Sequence, residues 1–144
     1  MIGVLDHVGI AVRRLDEALA RYRILGLAPE VIEDLSSEGV RLAFLPTGSV
    51  SLELLESTRE GGPVARFLEG RGEGLHHVAF RTPDIRAELR RLEAEGFEPL
   101  DREPRPGARG RSVAFFHPKS AHGVLIELVH EPSSGAAPEP RTLK

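Results

Sequence analysis

The chain contains no cysteine and no tryptophan, and only one tyrosine, among its 144 residues. Without cysteine, disulfide bonds and thiolate metal sites are excluded, so any bound metal ion must use nitrogen and oxygen donors. The chain has no excess of positive charge either, because its formal net charge is −3. This charge argues against a nucleic acid or an anionic membrane as a partner. No apolar run approaches the roughly 20 residues that a membrane span needs, and we therefore expect a cytoplasmic globular protein.

An internal repeat is the main feature that the sequence does contain. A strand-like stretch at 5–12 carries His7 directly before a valine, and a second such stretch at 75–82 carries His77 directly before another. These two histidines are 70 positions apart (77 minus 7), and Glu53 and Glu127 are 74 positions apart (127 minus 53). The two offsets differ only by what small loop insertions allow. The repeat therefore predicts two copies of one structural unit.

Hydrophobic periodicity predicts the same order of elements in each copy, which is strand, helix, strand, strand, strand. We expect an α+β domain over 1–131, with module one at 1–57, a linker and short helix at 58–74, and module two at 75–131. In module two, residues 97–103 are predicted as a strand and 104–110 as a loop. Residues 132–144 are rich in Pro, Ser and Ala without periodicity, and we expect a flexible C-terminal tail there.

Glu53 and Glu127 each lie in the middle of an apolar strand-like run that contains no lysine or arginine. A buried carboxylate is costly unless a positive charge compensates it. Two such glutamates at equivalent places of a repeat make chance a weaker explanation. A divalent cation is the simplest compensation for both.

His7 and His77 complete this hypothesis. Each shares a strand face with small residues, namely Gly9 and Ala11 in one module and Ala79 in the other, which leave room in front of an imidazole ring. Two imidazoles and two carboxylates suit a divalent ion such as Co, Ni, Mn, Zn or Fe. If each half curls its part of one curved, mostly antiparallel sheet and the halves sit side by side, all four side chains can point into one concave cavity, leaving two positions of an octahedral ion for water or substrate.

Each of these residues also has an ordinary structural explanation. A single strand histidine is usually a hydrogen-bonded core residue, and a strand glutamate can face water on a half-exposed sheet. The symmetry of the four residues favours the metal site. His76 is adjacent to His77, and because neighbours on a strand point to opposite faces, we assign it a structural role.

Several stretches resemble a known family. The paired strands with His7 and His77, together with Glu53 and Glu127, resemble the vicinal oxygen chelate, or glyoxalase, superfamily. Longer stretches at 72–80, 103–107, 116–120 and 123–128 resemble the methylmalonyl-CoA epimerase family within it, and the resemblance covers about residues 3–131. It implies a glyoxalase-like fold of two βαβββ modules, a homodimer, an acyl-CoA substrate and a divalent metal held by His7, Glu53, His77 and Glu127.

The resemblance further implies epimerisation of methylmalonyl-CoA by proton removal and return through an enolate, with Glu53 and Glu127 as candidate acid/base groups. Some family members carry glutamine in place of Glu53 and a proposed catalytic glutamate at the position of Leu42. Leucine cannot transfer a proton, so that two-base assignment does not carry over whole. Lys119 and Ser120, in the turn before the Glu127 strand, are candidates for contacting a substrate carboxylate or phosphate.

Three other functions use the same scaffold. A glyoxalase I-like lactoylglutathione lyase would use the same ligand set and enolate chemistry. A non-catalytic small-molecule binder would need no metal. A dioxygenase would need an open iron site with a single carboxylate, which the two glutamates argue against.

Overall fold

The computed structural model describes residues 2–131, and the predicted tail at 132–144 lies outside this range. The described residues divide into two compact units, one formed by 6–78 and the other by 2–5 together with 79–131. None of the helices in the described range is long and apolar enough to cross a membrane.

The unit formed by 6–78 contains most of the first half of the repeat. Its elements are, in chain order, β1 (Leu5–Ala11), α1 (Leu15–Ile24), β2 (Val31–Leu35), β3 (Val40–Pro46), β4 (Ser51–Ser57), α2 (Pro63–Arg71) and the start of β5 (Gly74–Arg81). The strands hydrogen-bond in the order β2-β3-β4-β1. β1 runs parallel to β4, and the β2/β3 and β3/β4 pairs are antiparallel.

Helix α1 packs its apolar face onto this sheet. The core contains five buried side chains from the end of β1 and from α1, β3 and β4, namely Val12, directly after β1, and Leu15, Ala43, Leu45 and Leu54. The first helical N–H group, at Leu15, donates to Glu56 Oε1 at 3.2 Å, so a β4 carboxylate takes the place of a capping side chain. After the helix the chain turns at Gly26, whose φ of +94° favours glycine.

The second unit contains the end of β5, α3 (Ile85–Ala94), β6 (Arg105–Pro106), β7 (Ser112–Phe116) and β8 (Ile126–His130). Its strands follow the order β5-β8-β7-β6, and the β6/β7 and β7/β8 pairs are antiparallel. Asp84 caps α3 by accepting a hydrogen bond from the Ala87 N–H at 3.1 Å. The predicted apolar face of this helix is confirmed, since Ile85, Leu89 and Leu92 are buried in the core of the unit.

One predicted strand is wrong. Residues 97–103 form only an isolated bridge, between Pro99 and Phe116, and the strand at this place is the two-residue β6. This bridge is held by two backbone hydrogen bonds, from Leu100 N–H to Phe115 O and from His117 N–H to Glu98 O, both at 2.8 Å. The Asp101 carboxylate also accepts the Phe115 N–H at 2.9 Å, so a side chain takes the bond that a strand carbonyl would otherwise make.

The predicted α+β fold class is confirmed. The order strand, helix, strand, strand, strand occurs twice along the chain, with α2 between the two copies. Four of the five strand pairs described here are antiparallel, in agreement with the expected, mostly antiparallel, βαβββ modules.

Candidate metal centre

Three of the four predicted ligands lie in the unit formed by 6–78. His7 comes from β1, Glu53 from β4 and His77 from β5, and their exposed fractions are only 2%, 5% and 5%. In the parallel pairing of β1 with β4, Glu53 lies opposite Gly9, which is two residues from His7 and therefore on the same face of the strand. The sheet register thus brings the carboxylate to the histidine.

The donor atoms of these three side chains converge. His7 Nε2 lies 3.2 Å from His77 Nε2, and Glu53 Oε1 lies 3.2 Å from the first nitrogen and 3.3 Å from the second. With metal–ligand bonds of about 2.1 Å, neighbouring donors of an octahedral or tetrahedral site lie roughly 3.0 to 3.4 Å apart. The three atoms have this spacing, and two imidazole nitrogens with one carboxylate oxygen could hold a metal ion.

Glu53 stays ionised in this environment. Burial raises the pKa of the carboxyl group, but the hydrogen bonds and charge interactions with His7 and His77 outweigh burial and lower the pKa to about 2. A carboxylate that is already deprotonated binds a cation without releasing a proton. The local electrostatics therefore favour positive charge next to Glu53.

Gly9 provides the space that the His77 ring occupies. A Cβ atom at this position would lie only 2.1 Å from Cε1 and 2.4 Å from Nδ1 of the ring. Any other residue would displace the imidazole. The expectation that small neighbours leave room for the histidines is thus confirmed for Gly9, which makes room for the histidine of the other module.

Glu127, the fourth predicted ligand, lies on β8 in the second unit. It is buried, with 6% of its surface exposed, and pairs across the antiparallel ladder with Phe115. Burial raises the pKa of the nearby Asp101, and the charge of Glu127 adds to this rise. Burial lowers the pKa of Arg105, whereas the charge of Glu127 opposes that change. Glu127 is therefore a buried carboxylate with a guanidinium in its vicinity.

The two candidate substrate contacts lie in the 3₁₀ turn Pro118–Ala121. The Lys119 ammonium group is exposed and 3.2 Å from a carboxylate oxygen of Glu98. The Ser120 hydroxyl accepts a hydrogen bond from the Glu98 N–H at 2.9 Å. Both side chains thus hold this turn against the segment after α3, and their role towards a substrate stays a prediction.

Leu42, the position at which the family pattern differs, lies in β3 and is fully buried. It pairs with Leu55 across the antiparallel ladder with β4. An aliphatic side chain at this place contributes packing and no proton transfer.

Two residues that the sequence analysis did not assign to the metal site contact the rings of His7 and His77. Asp6 Oδ2 lies 2.7 Å from His7 Nδ1, and His76 Nδ1 lies 2.9 Å from His77 Nδ1. The sequence does carry a signal, because Asp6 and His76 are themselves 70 positions apart (76 minus 6) and each directly precedes a predicted ligand. Strand alternation places neighbouring side chains on opposite faces, and for that reason His76 appeared only structural.

Comparison with known proteins agrees with this geometry. The model of the glyoxalase/bleomycin resistance protein/dioxygenase superfamily matches residues 6–115. An ethylmalonyl-CoA/methylmalonyl-CoA epimerase of Cereibacter sphaeroides is 41% identical over 131 residues, covering 89% of this chain and 98% of that protein. The chain belongs to the methylmalonyl-CoA epimerase family of this superfamily.

Solved structures of the epimerase family have the same fold. A methylmalonyl-CoA epimerase in complex with methylmalonyl-CoA and NH4+ superposes with a TM-score of 0.89 at 38% identity, covering 97% of this chain and 100% of that chain. A variant of the Streptomyces coelicolor methylmalonyl-CoA epimerase, in complex with 2-nitronate-propionyl-CoA, gives a TM-score of 0.88 at 39% identity, covering 91% and 99%. The glyoxalase-like fold expected from the sequence is confirmed.

Proposed function

We propose that this protein is a metal-dependent epimerase that interconverts the R and S forms of methylmalonyl-CoA. The observation that carries the proposal is the convergence of two imidazole nitrogens and one carboxylate oxygen, in a chain whose relatives are named for this reaction. Epimerase function is further supported by the solved relative bound to methylmalonyl-CoA.

The proposed metal centre consists of His7, Glu53, His77 and Glu127. These four buried His and Glu side chains could hold a metal ion, and they supply the nitrogen and oxygen donors that a borderline divalent cation prefers. We propose cobalt, nickel, manganese or zinc as the ion. Each module contributes one histidine and one glutamate, so the ligand set repeats with the chain.

The reaction requires a proton to leave the carbon between the thioester and the carboxylate and to return on the opposite face. The difficulty lies in the negative charge that develops on the thioester oxygen as the proton leaves. A bound divalent ion acts as a Lewis acid that stabilises this charge, an effect worth several kcal/mol. The protein must then supply a group that takes the proton and a group that returns it.

We propose Glu53 and Glu127 as these acid/base groups, in addition to their role as ligands. They occupy equivalent positions of the two modules, and a carboxylate on each side is what exchange between two faces of a carbon requires. Glu53, whose pKa is lowered from 4.5 to about 2, is ionised at neutral pH and is therefore in the form that can accept a proton. Leu42 cannot transfer a proton. The catalytic base must therefore be a different residue from the one proposed in relatives that carry a glutamate at this position.

The proposed substrate is an acyl-CoA. Lys119 supplies an exposed positive charge, and its only described carboxylate partner, Glu98, is half exposed, so the ammonium group is accessible to a substrate carboxylate or phosphate. Ser120 lies beside it in the same turn. We further propose that the enzyme works in the cytoplasm as a homodimer, and sedimentation equilibrium tests the dimer.

Deuterium exchange tests the acid/base proposal. Metal-loaded enzyme is incubated with methylmalonyl-CoA in heavy water, and incorporation at the acidic carbon is compared between wild type, Glu53→Gln and Glu127→Gln. We expect wild type to incorporate deuterium and the variants to do so at least about 100-fold more slowly. Metal content is measured for every variant, which separates loss of a base from loss of the ion.

Matched controls exist for both substitutions. Glu56→Gln changes a carboxylate on the same strand as Glu53, and its amide oxygen can still accept the Leu15 N–H. Glu131→Gln changes an exposed carboxylate just after the β8 strand. Exchange at the wild-type rate in both Glu53→Gln and Glu127→Gln would show that neither residue moves the proton. Turnover of the hemithioacetal of glutathione in preference to methylmalonyl-CoA would instead favour a lactoylglutathione lyase.

A further inference from the structure

The residue directly before each candidate histidine ligand contacts the ring nitrogen that does not face the cluster. His7 and His77 both direct Nε2 towards Glu53 Oε1, at 3.2 and 3.3 Å. Their Nδ1 atoms instead lie next to Asp6 and His76, at 2.7 and 2.9 Å. All five side chains belong to the unit formed by 6–78. The same arrangement therefore occurs once in each half of the repeat.

At His7 the chemistry of the partner settles which nitrogen carries hydrogen. An ionised carboxylate only accepts hydrogen bonds, so the short contact to Asp6 Oδ2 requires a proton on His7 Nδ1. Asp6 has only 9% of its surface exposed, and water therefore competes little for this bond. A ring that keeps its hydrogen on Nδ1 offers the lone pair of Nε2 to a metal ion once that ion takes the place of the hydrogen that Nε2 donates to Glu53.

At His77 the partner is an imidazole, and one of the two Nδ1 atoms must donate while the other accepts. For His77 Nε2 to offer a lone pair to a metal ion, Nδ1 of His77 must carry the proton, and His76 Nδ1 must accept. The His76 ring is held in place from its other side, because the Phe67 ring of α2 meets it edge-on with 4.9 Å between centroids. The short helix between the modules thus supports the position of His76.

We propose that Asp6 and His76 are positioning residues that fix Nε2 of His7 and of His77 as the metal-binding atoms. The inference rests on the proposed function, since it takes both histidines as ligands of the ion. The two partners differ in charge. The Asp6 carboxylate both orients the His7 ring and makes it a stronger donor, whereas the neutral His76 ring orients its neighbour only. Removal of Asp6 therefore weakens metal binding more than removal of His76.

Zinc affinity, measured by competition with a chromogenic chelator, tests the proposal. We expect about 10- to 100-fold weaker binding for Asp6→Ala and a smaller loss, about 10-fold, for His76→Ala. Asp6→Asn and His76→Gln each place an uncharged amide oxygen where it can accept a hydrogen bond from the ligand's Nδ1. Each should therefore recover part of the zinc affinity that the alanine variant loses. These conservative variants also serve if an alanine variant fails to fold. Asp34→Ala, at an exposed aspartate of β2, and His130→Ala, at a half-buried histidine of β8, should bind zinc like wild type.

The ring ¹⁵N chemical shifts of the zinc-loaded protein give a second readout that does not depend on activity. We expect both histidines to bind zinc through Nε2 and to carry hydrogen on Nδ1. Zinc bound through Nδ1 at either histidine, or Asp6→Ala and His76→Ala proteins that bind zinc within about threefold of wild type, would overturn the proposal. Wild type that binds zinc but exchanges no substrate proton would overturn the proposed activity and leave the positioning role standing. Wild type that binds no divalent metal would overturn both.

Discussion

Substitution of Gly9 by alanine is expected to destroy the metal centre while leaving the fold intact. The added Cβ atom would lie 2.1 Å from His77 Cε1, 2.4 Å from Nδ1 and 2.7 Å from Nε2. Ordinary contacts of a Cβ atom begin near 3.4 Å, so the ring must withdraw by about 1.3 Å (3.4 minus 2.1). Metal–ligand distances tolerate changes of only about 0.2 Å. A displacement this large removes His77 Nε2 from the cluster.

The expected result is at least about 100-fold weaker binding of cobalt or zinc, because losing a ligand costs more than the 10- to 100-fold loss typical of disturbing its partner. Overpacking itself costs about 1–3 kcal/mol, less than the stability of a typical domain, so circular dichroism should show a folded protein. Metal affinity is measured by chelator competition, and the free energy of unfolding by urea denaturation of the metal-free protein.

Gly70→Ala is the matched control. This glycine lies in α2, its backbone does not require glycine, and a Cβ atom there meets no atom within 4 Å. We expect unchanged metal affinity and a stability gain of up to about 1 kcal/mol, since alanine is the better helix former. A folded Gly9→Ala protein that binds metal within about threefold of wild type would refute the proposed role of the His77 ring.

Three further predictions concern stability. In the metal-free protein, the stability that the ionised Glu53 contributes is fully present above pH 4.5, its ordinary pKa, and is lost as the pH falls towards 2. Urea denaturation at a series of pH values should therefore show a steeper loss of stability in acid for wild type than for Glu53→Gln. Equal losses for the two proteins would contradict the lowered pKa. Arg91→Ala removes the guanidinium that donates two hydrogen bonds to the buried Glu88, and should lower the free energy of unfolding by about 1–3 kcal/mol in urea denaturation, whereas the exposed Arg90→Ala should change it little. Asp84→Ala removes the cap of α3 and should cost about 1 kcal/mol by the same measurement; no loss would mean that another group caps the helix.

Much of the fold follows from local pattern. The strand with His7 is a short apolar run with alternating faces, and α3 shows its buried face at helical spacing, so both elements could be predicted with small errors at their ends. The segment at 97–103 has the composition of a strand but only part of its backbone hydrogen bonds, with Leu100 N–H donating to Phe115 O and His117 N–H donating to Glu98 O. There the Asp101 carboxylate occupies the Phe115 N–H, and such competition between side chain and backbone is not visible in a hydrophobic pattern.

In the candidate metal centre, too, some features could be predicted from the sequence pattern and others could not. His7, Glu53 and His77 could be predicted because histidines before valines and carboxylates within apolar strands recur at nearly the same offset. The contacts of Asp6 and His76 with the neighbouring rings could not be predicted. Strand alternation assigns adjacent side chains to opposite faces, and it does not indicate how far an imidazole ring reaches around the edge of the strand. The close approach of Gly9 to His77 likewise depends on the pairing of strands from different modules, which is a long-range contact.

The metal dependence of proton exchange is the most direct test of the proposal as a whole. Wild-type enzyme is stripped of metal with a chelator, and deuterium incorporation into methylmalonyl-CoA is followed by NMR before and after cobalt, nickel, manganese or zinc is restored. We predict that exchange ceases on stripping and returns with at least one of these ions, at one ion per chain. Exchange that continues at the original rate in the stripped protein, or that no divalent ion restores, would contradict an epimerase built on His7, Glu53, His77 and Glu127.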